Sequence, residues 1–159
     1  MKIELAKTEI VHFIGIGGIG MSGLSLIMKG KEFSVQGSDI SLNKNIERLR
    51  KEKIKVFIGH KKKHLKNATI VVISSAIKKN NPELVEAKRK NLPIIKRGKM
   101  LAHIVSLMKN IVVVGSHGKT TTTSLVTSIF QKTKLDPTII NGGVINSIKN
   151  SAKLGKSDW

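Results

Sequence analysis

A chain of 159 residues is long enough for one well-buried domain, and slightly long for one of modal size. It has no cysteine, which excludes disulfides and thiolate metal sites, and no apolar run approaches the roughly 20 residues that span a bilayer. The excess of 29 Lys+Arg over 10 Asp+Glu gives a net charge of +19 and a field that attracts polyanions, but the charge is scattered, almost all lysine, and accompanied by only 3% aromatics, a poor set for reading nucleic acid.

The first strand is expected at residues 10–16 and the first helix at 18–29, where Ile19, Leu24, Ile27 and Met28 recur at helical spacing. Strands at 33–37, 55–58, 69–74 and 93–95 then alternate with helices at 43–52, 82–90 and 98–108. Asn81-Pro82-Glu83 reads as a helix cap followed by proline at the first helical position. A further strand at 110–114 leads to a helix at 119–133, and a last strand is expected at 137–140. Runs such as Ile70-Val71-Val72-Ile73 and Ile111-Val112-Val113-Val114 suit strands buried on both faces. The alternation predicts an α/β fold: a Rossmann-like parallel sheet over residues 1–107, then the start of a P-loop ATPase-type α/β domain over 108–159. The joint falls at 106–110. Residues 1–10 lack the apolar core and cleavage site of a secretory signal, so the cytoplasm is the expected compartment, with no membrane insertion.

Two glycine loops carry the chemistry. In the first, Gly15, Gly17 and Gly20 make G-x-G-x-x-G between a strand and a helix, the context in which that spacing signifies diphosphate binding. Gly15 is expected to allow the tight turn, Gly17 the close approach of a diphosphate, and Gly20 close packing of helix on sheet. Asp39 stands about 20 residues further on, where such folds contact a ribose hydroxyl. In the second loop, Gly115, Ser116, His117, Gly118, Lys119, Thr120 and Thr121 follow an apolar run and open a helix. Backbone amides there would cradle ATP phosphates, Lys119 would reach the β and γ oxygens, and the Thr120 hydroxyl would ligate Mg²⁺. The spacing is shorter than the general form, with Val113 where its first glycine belongs. Hydride transfer needs one dinucleotide and no ATP, so the pair of loops points to two nucleotides, one a substrate handle and one consumed.

Residues 12–23 (HFIGIGGIGMSG), Gly37-Ser38-Asp39, Ser74-Ser75-Ala76-Ile77, the loop from Gly115 to Thr123, and Asn141-Gly142-Gly143 occur in the order found in the Mur ligases. The chain resembles the N-terminal part of a member that joins L-alanine to UDP-N-acetylmuramate in peptidoglycan precursor synthesis. The resemblance implies that Gly15, Ile16, Gly17, Gly18, Ile19 and Gly20 receive the UDP diphosphate, with Asp39 on the ribose side and Ser74 and Ser75 lining the crevice. It also implies that Gly115 to Thr121 hold Mg-ATP, with Lys119 and Thr120 as the catalytic residues and Thr120 on the metal. Ser116 replaces a threonine, and Arg97-Gly98-Lys99-Met100 replaces a pattern with an acid after the arginine, so no role follows for Arg97. Members continue beyond the equivalent of Trp159 into a metal-binding carboxylate strand and further domains. This chain alone is therefore expected not to ligate, and to be poorly ordered beyond about residue 134. Two rival readings stand beside this one: a nicotinamide-binding oxidoreductase module, and a basic nucleic-acid-binding protein.

Overall fold

The computed structural model describes residues 5–133 and 135–159. Its centre is a parallel sheet of β1 (Ile10–Ile14), β2 (Ser34–Asp39), β3 (Lys55–Ile58), β4 (Ile70–Ile73) and β5 (Ile94–Lys96), in the order β3-β2-β1-β4-β5. Strand β1 lies between β2 and β4, with Ile14 opposite Ser38 on one side and Ile73 on the other. The order therefore reverses beside β1, and the crevice beyond the carboxyl ends of β1 and β4 is where open α/β sheets bind ligands.

Alternation along β1 divides the core. Val11 and Phe13 face a cluster built with Met21, Leu24, Ile27 and Met28 of α1 (Ile19–Gly30), Ile46 and Leu49 of α2 (Lys44–Lys51), and Met100 and Ile104 of α4 (Arg97–Ser106). Ile14 faces the other side, against Leu65 of a 3-10 helix (Lys62–Leu65) and Leu84 and Ala87 of α3 (Pro82–Arg89). Both faces of β1 are thus covered, as its nearly continuous apolar run requires.

The sequence expectations hold for these five strands and the helices between them, within a few residues at the ends. Strand β1 stops at Ile14 because Gly15, at φ +82°, turns the chain so that the Gly15 and Ile16 amides both donate to the Ser38 carbonyl. The cap read at Asn81 is present: its side chain accepts from the amides of Glu83 and Leu84.

Two expectations fail in the second half. Residues 110–114 are not a strand. Ile111, Val112 and Val114 stand 57%, 64% and 82% exposed, and among the described residues no strand runs alongside to take up their backbone hydrogen bonds. An apolar β-branched run becomes a strand only when a partner satisfies its amides and carbonyls. Beyond residue 134, where poor order was expected, β6 (Ile139–Ile145) and β7 (Asn150–Lys153) form an antiparallel pair after α5 (Lys119–Gln131). The pair rests on α1, with Ala152 against Gly23 and Leu154 against Gly30. Arg48 of α2 secures it by donating to the Asn150 side chain at 2.8 Å and the Ala152 carbonyl at 3.1 Å.

Candidate nucleotide site

The first glycine loop crosses the carboxyl end of the sheet and is held from below. Ser38 accepts the Gly15 and Ile16 amides at 2.8 and 3.0 Å, and Asp39 Oδ2 accepts the Gly17 amide at 2.8 Å. Asn45 donates to the Gly17 carbonyl at 2.7 Å. A Cβ on Gly17 would lie 2.7 Å from Asn43 Nδ2, 2.9 Å from Asp39 Oδ2 and 3.1 Å from Ile46 Cδ1. The glycine is thus required by the residues beneath the loop, whatever lies above it. A Cβ on Gly20 would meet the Arg97 guanidinium, so this glycine makes room for a side chain of α4 where close contact with the sheet was expected. Ser74 Oγ lies within 4 Å of a Cβ built on Gly15, while Ser75 points to solvent.

What remains free is the start of α1. Its cap residue Gly18 brings no side-chain acceptor and its first turn carries no acid. Among the described residues, the amides of Ile19, Gly20 and Met21 find no acceptor outside the helix. Gly18 and Ile19 are exposed. The positive end of the helix dipole, with the Ile19 and Gly20 amides, therefore lies at the crevice, an arrangement chemically suited to an anion such as phosphate. By contrast, α2 and α3 are capped by Asn43 and Asn81 and carry Glu47 and Glu83 in their first turns.

The second glycine loop repeats the device. Gly118, at φ +75°, caps α5 without a side-chain acceptor, and again there is no acid in the first turn. Lys119 Nζ folds back to donate to the Gly115 and Ser116 carbonyls at 2.5 and 2.8 Å. Ser116, His117, Thr120 and Thr121 are exposed, and the Thr120 side chain lies beside Gly143 of β6. Lys119, Thr120 and Asn141 also line one end of a largely apolar groove of about 360 Å³ between α4, α5 and β6.

The model of the Mur ligase family, catalytic domain, matches residues 10–109, well over half of the chain. The chain belongs to the Mur ligase family. It is 79% identical over all 159 residues to the UDP-N-acetylmuramate–L-alanine ligase of Pelagibacter ubique strain HTCC1062, and 51% identical to that of Brucella ovis. In both cases it spans 34% of the relative's length. Among solved structures it resembles the UDP-N-acetylmuramate-alanine ligase of Thermotoga maritima, with TM-score 0.84 and 30% identity over 93% of this chain and 35% of that one. A murein peptide ligase from Psychrobacter arcticus also superposes with TM-score 0.84, at 25% identity over 94% of this chain and 34% of that one.

Within this Mur ligase chain, one cluster escaped the sequence reading. Glu83, fully buried, is surrounded by side chains from four elements and loops. Its Oε2 accepts from Ser38 Oγ at 2.5 Å and lies 3.3 Å from both His12 Nε2 and His60 Nδ1; its Oε1 lies 2.6 Å from His64 Nδ1. Burial alone would raise the Glu83 pKa. The hydrogen bonds from His12 and Ser38, the charge of His12 and the hydrogen bond from His64 outweigh it and hold the carboxyl at about 2. Phe57 stacks on His64 with centroids 4.3 Å apart. The cluster touches the glycine loop through Ser38, whose hydroxyl meets Glu83 and whose carbonyl holds Gly15 and Ile16. Its members lie as far as 71 residues apart, so no local motif could reveal it.

Proposed function

We propose that this chain supplies the substrate-nucleotide site and the leading part of the ATP site of a UDP-N-acetylmuramate–L-alanine ligase, with a boundary between the two near residue 107. The observation that carries the reading is the uncapped start of α1, open at the crevice where the strand order reverses. The 79% identity to a ligase of that name supports the choice of substrate.

In this reading the Ile19 and Gly20 amides donate to the diphosphate of UDP-N-acetylmuramate, and Ser38 and Asp39 keep the loop rigid so that little order is lost on binding. Ser74 and Ser75 border the same crevice. The second loop suits a nucleoside triphosphate: its α5 start has no side-chain cap, its lysine lies over the loop, and the Thr120 hydroxyl, which is exposed, would ligate Mg²⁺. Mg²⁺, when bound, neutralises charge on the β- and γ-phosphates. Lys119 leaves the Gly115 and Ser116 carbonyls for the phosphate oxygens and stabilises the charge on the transferring phosphoryl group. The overall chemistry joins a carboxylate to an amine. The muramyl carboxylate takes the γ-phosphoryl group and ADP leaves; the alanine amine then attacks the acyl carbon and phosphate departs.

Calorimetric titration with UDP-N-acetylmuramate, with NADH in parallel, tests the first site. Saturable binding of the uridine nucleotide alone supports the reading. Binding of NADH alone would replace it with a nicotinamide module.

A further inference from the structure

The guanidinium of Arg97 lies against the α carbon of Gly20: a Cβ built there would be 2.6 Å from Nη1, 3.2 Å from Cζ and 3.4 Å from Cδ. The position is electrostatically unfavourable in this structure. Arg97 is the first residue of α4, whose cap Lys96 offers no acceptor and whose first turn has no acid, and Gly20 is the second residue of α1, which is equally uncapped. A cation thus sits at the positive ends of two helix dipoles. Its nearest chain neighbours in charge, Lys96 and Lys99, are also basic, and among the described residues Arg97 has no carboxylate within salt-bridge distance and no hydrogen-bond acceptor. Its side chain is solvent-exposed, so water screens part of that repulsion, and no acid among the described residues pairs with it. Its guanidinium nevertheless lies over Gly20, whose amide has no acceptor outside the helix among the described residues, and the absence of a side chain at Gly20 is what admits it.

We propose that Arg97 is a binding residue for the substrate diphosphate, closing over the glycine loop from α4 so that the anion is held between the α1 amides and a planar guanidinium. This rests on the nucleotide site proposed above and extends it across the sheet, from β1 to the end of β5. Guanidinium suits the task because its fork can meet two phosphate oxygens at once, whereas an ammonium acts as a point charge. The anion supplies the counter-charge that Arg97 lacks in the empty site.

The test is calorimetric titration of wild-type protein, Arg97→Gln and Lys99→Gln with UDP and with UDP-N-acetylmuramate, alongside thermal unfolding. Lys99→Gln removes the same charge from the same helix without touching Gly20. For Arg97→Gln, affinity is expected to fall about tenfold or more, by the same factor for both ligands, as for a lost charge-assisted hydrogen bond. Lys99→Gln should stay within about twofold of wild type, as for a screened surface charge, and the unfolding midpoint of Arg97→Gln should be no lower than wild type. Unchanged affinity in Arg97→Gln overturns the proposal, as does an equal loss in Lys99→Gln, which would make the effect one of net charge. A loss confined to UDP-N-acetylmuramate would assign Arg97 to the carboxylate end and overturn the diphosphate assignment. Wild-type protein that binds neither ligand would overturn the nucleotide site itself, an outcome separate from any difference between the variants.

Discussion

Asp39 and Gly17 are joined by a 2.8 Å hydrogen bond from the glycine amide to the carboxylate, so the acid at the end of β2 is a strut for the loop. A ligand contact on the ribose side, expected from its spacing after the loop, would use its second oxygen, which lies 3.5 Å from the Ser41 amide. Asp39→Ala should therefore loosen the loop as well as remove any ribose contact. Loss of a charge-assisted bond at a half-buried position predicts about 1–2 kcal/mol of destabilisation and about tenfold weaker uridine-nucleotide binding. Asp39→Asn, whose amide oxygen can still accept the Gly17 amide, should recover most of the stability in urea denaturation.

Gly37 and Gly98 make a pair of opposite sign. A Cβ on Gly37 would sit 2.6 Å from the Phe13 carbonyl oxygen in the adjacent strand and 2.6 Å from Ile16 Cδ1, while a Cβ on Gly98 meets nothing within 4 Å. Gly37→Ala is expected to destabilise by about 1–3 kcal/mol because the backbone cannot yield cheaply. Gly98→Ala, in the first turn of α4, is expected to stabilise by about 0.5–1 kcal/mol. Denaturation midpoints of the two variants should move in opposite directions.

Glu83 makes the fold acid-sensitive. Its carboxyl is held at about 2 in the folded protein against an ordinary value of 4.5. A depressed folded-state pKa contributes stability that is fully present above the unfolded value and lost as pH falls from about 4.5 toward 2. The shift corresponds to something on the order of 3 kcal/mol. Glu83→Gln should flatten the dependence of the urea midpoint on pH across that window. It should also cost about 1–3 kcal/mol at neutral pH, because the buried groups around it lose a charged hydrogen-bonding partner. A pH profile unchanged by the substitution would mean that other carboxyls set the acid limit.

Lys119 bonds only to exposed loop carbonyls, so its removal should scarcely change the fold. Lys119→Met is expected to shift stability by less than about 1 kcal/mol, as exposed lysine contacts do. In the same variant, binding of Mg-ATP should weaken by about tenfold or more, since the charge meeting the β and γ oxygens is gone. A large fall in the thermal midpoint would show instead that the lysine holds the loop together.

The sequence by itself determined the Rossmann-like half. Continuous β-branched runs, helical spacing of apolar residues, Asn caps and glycine punctuation are local signals, and each found its complement in a neighbouring strand or helix. The two glycine loops were equally legible, because a glycine cap at the start of a helix is a property of adjacent residues. Only the tertiary structure decided which groups share a space. Glu83 reads locally as a helix-start acid; folding surrounds it with three histidines and a serine drawn from distant positions. Arg97 had no local signal for a role, since its relation to Gly20 depends on β5 lying two strands from β1. Residues 110–114 carry the pattern of a buried strand and yet stay exposed, because a strand is a pairing of two segments and its own residues supply only one of them.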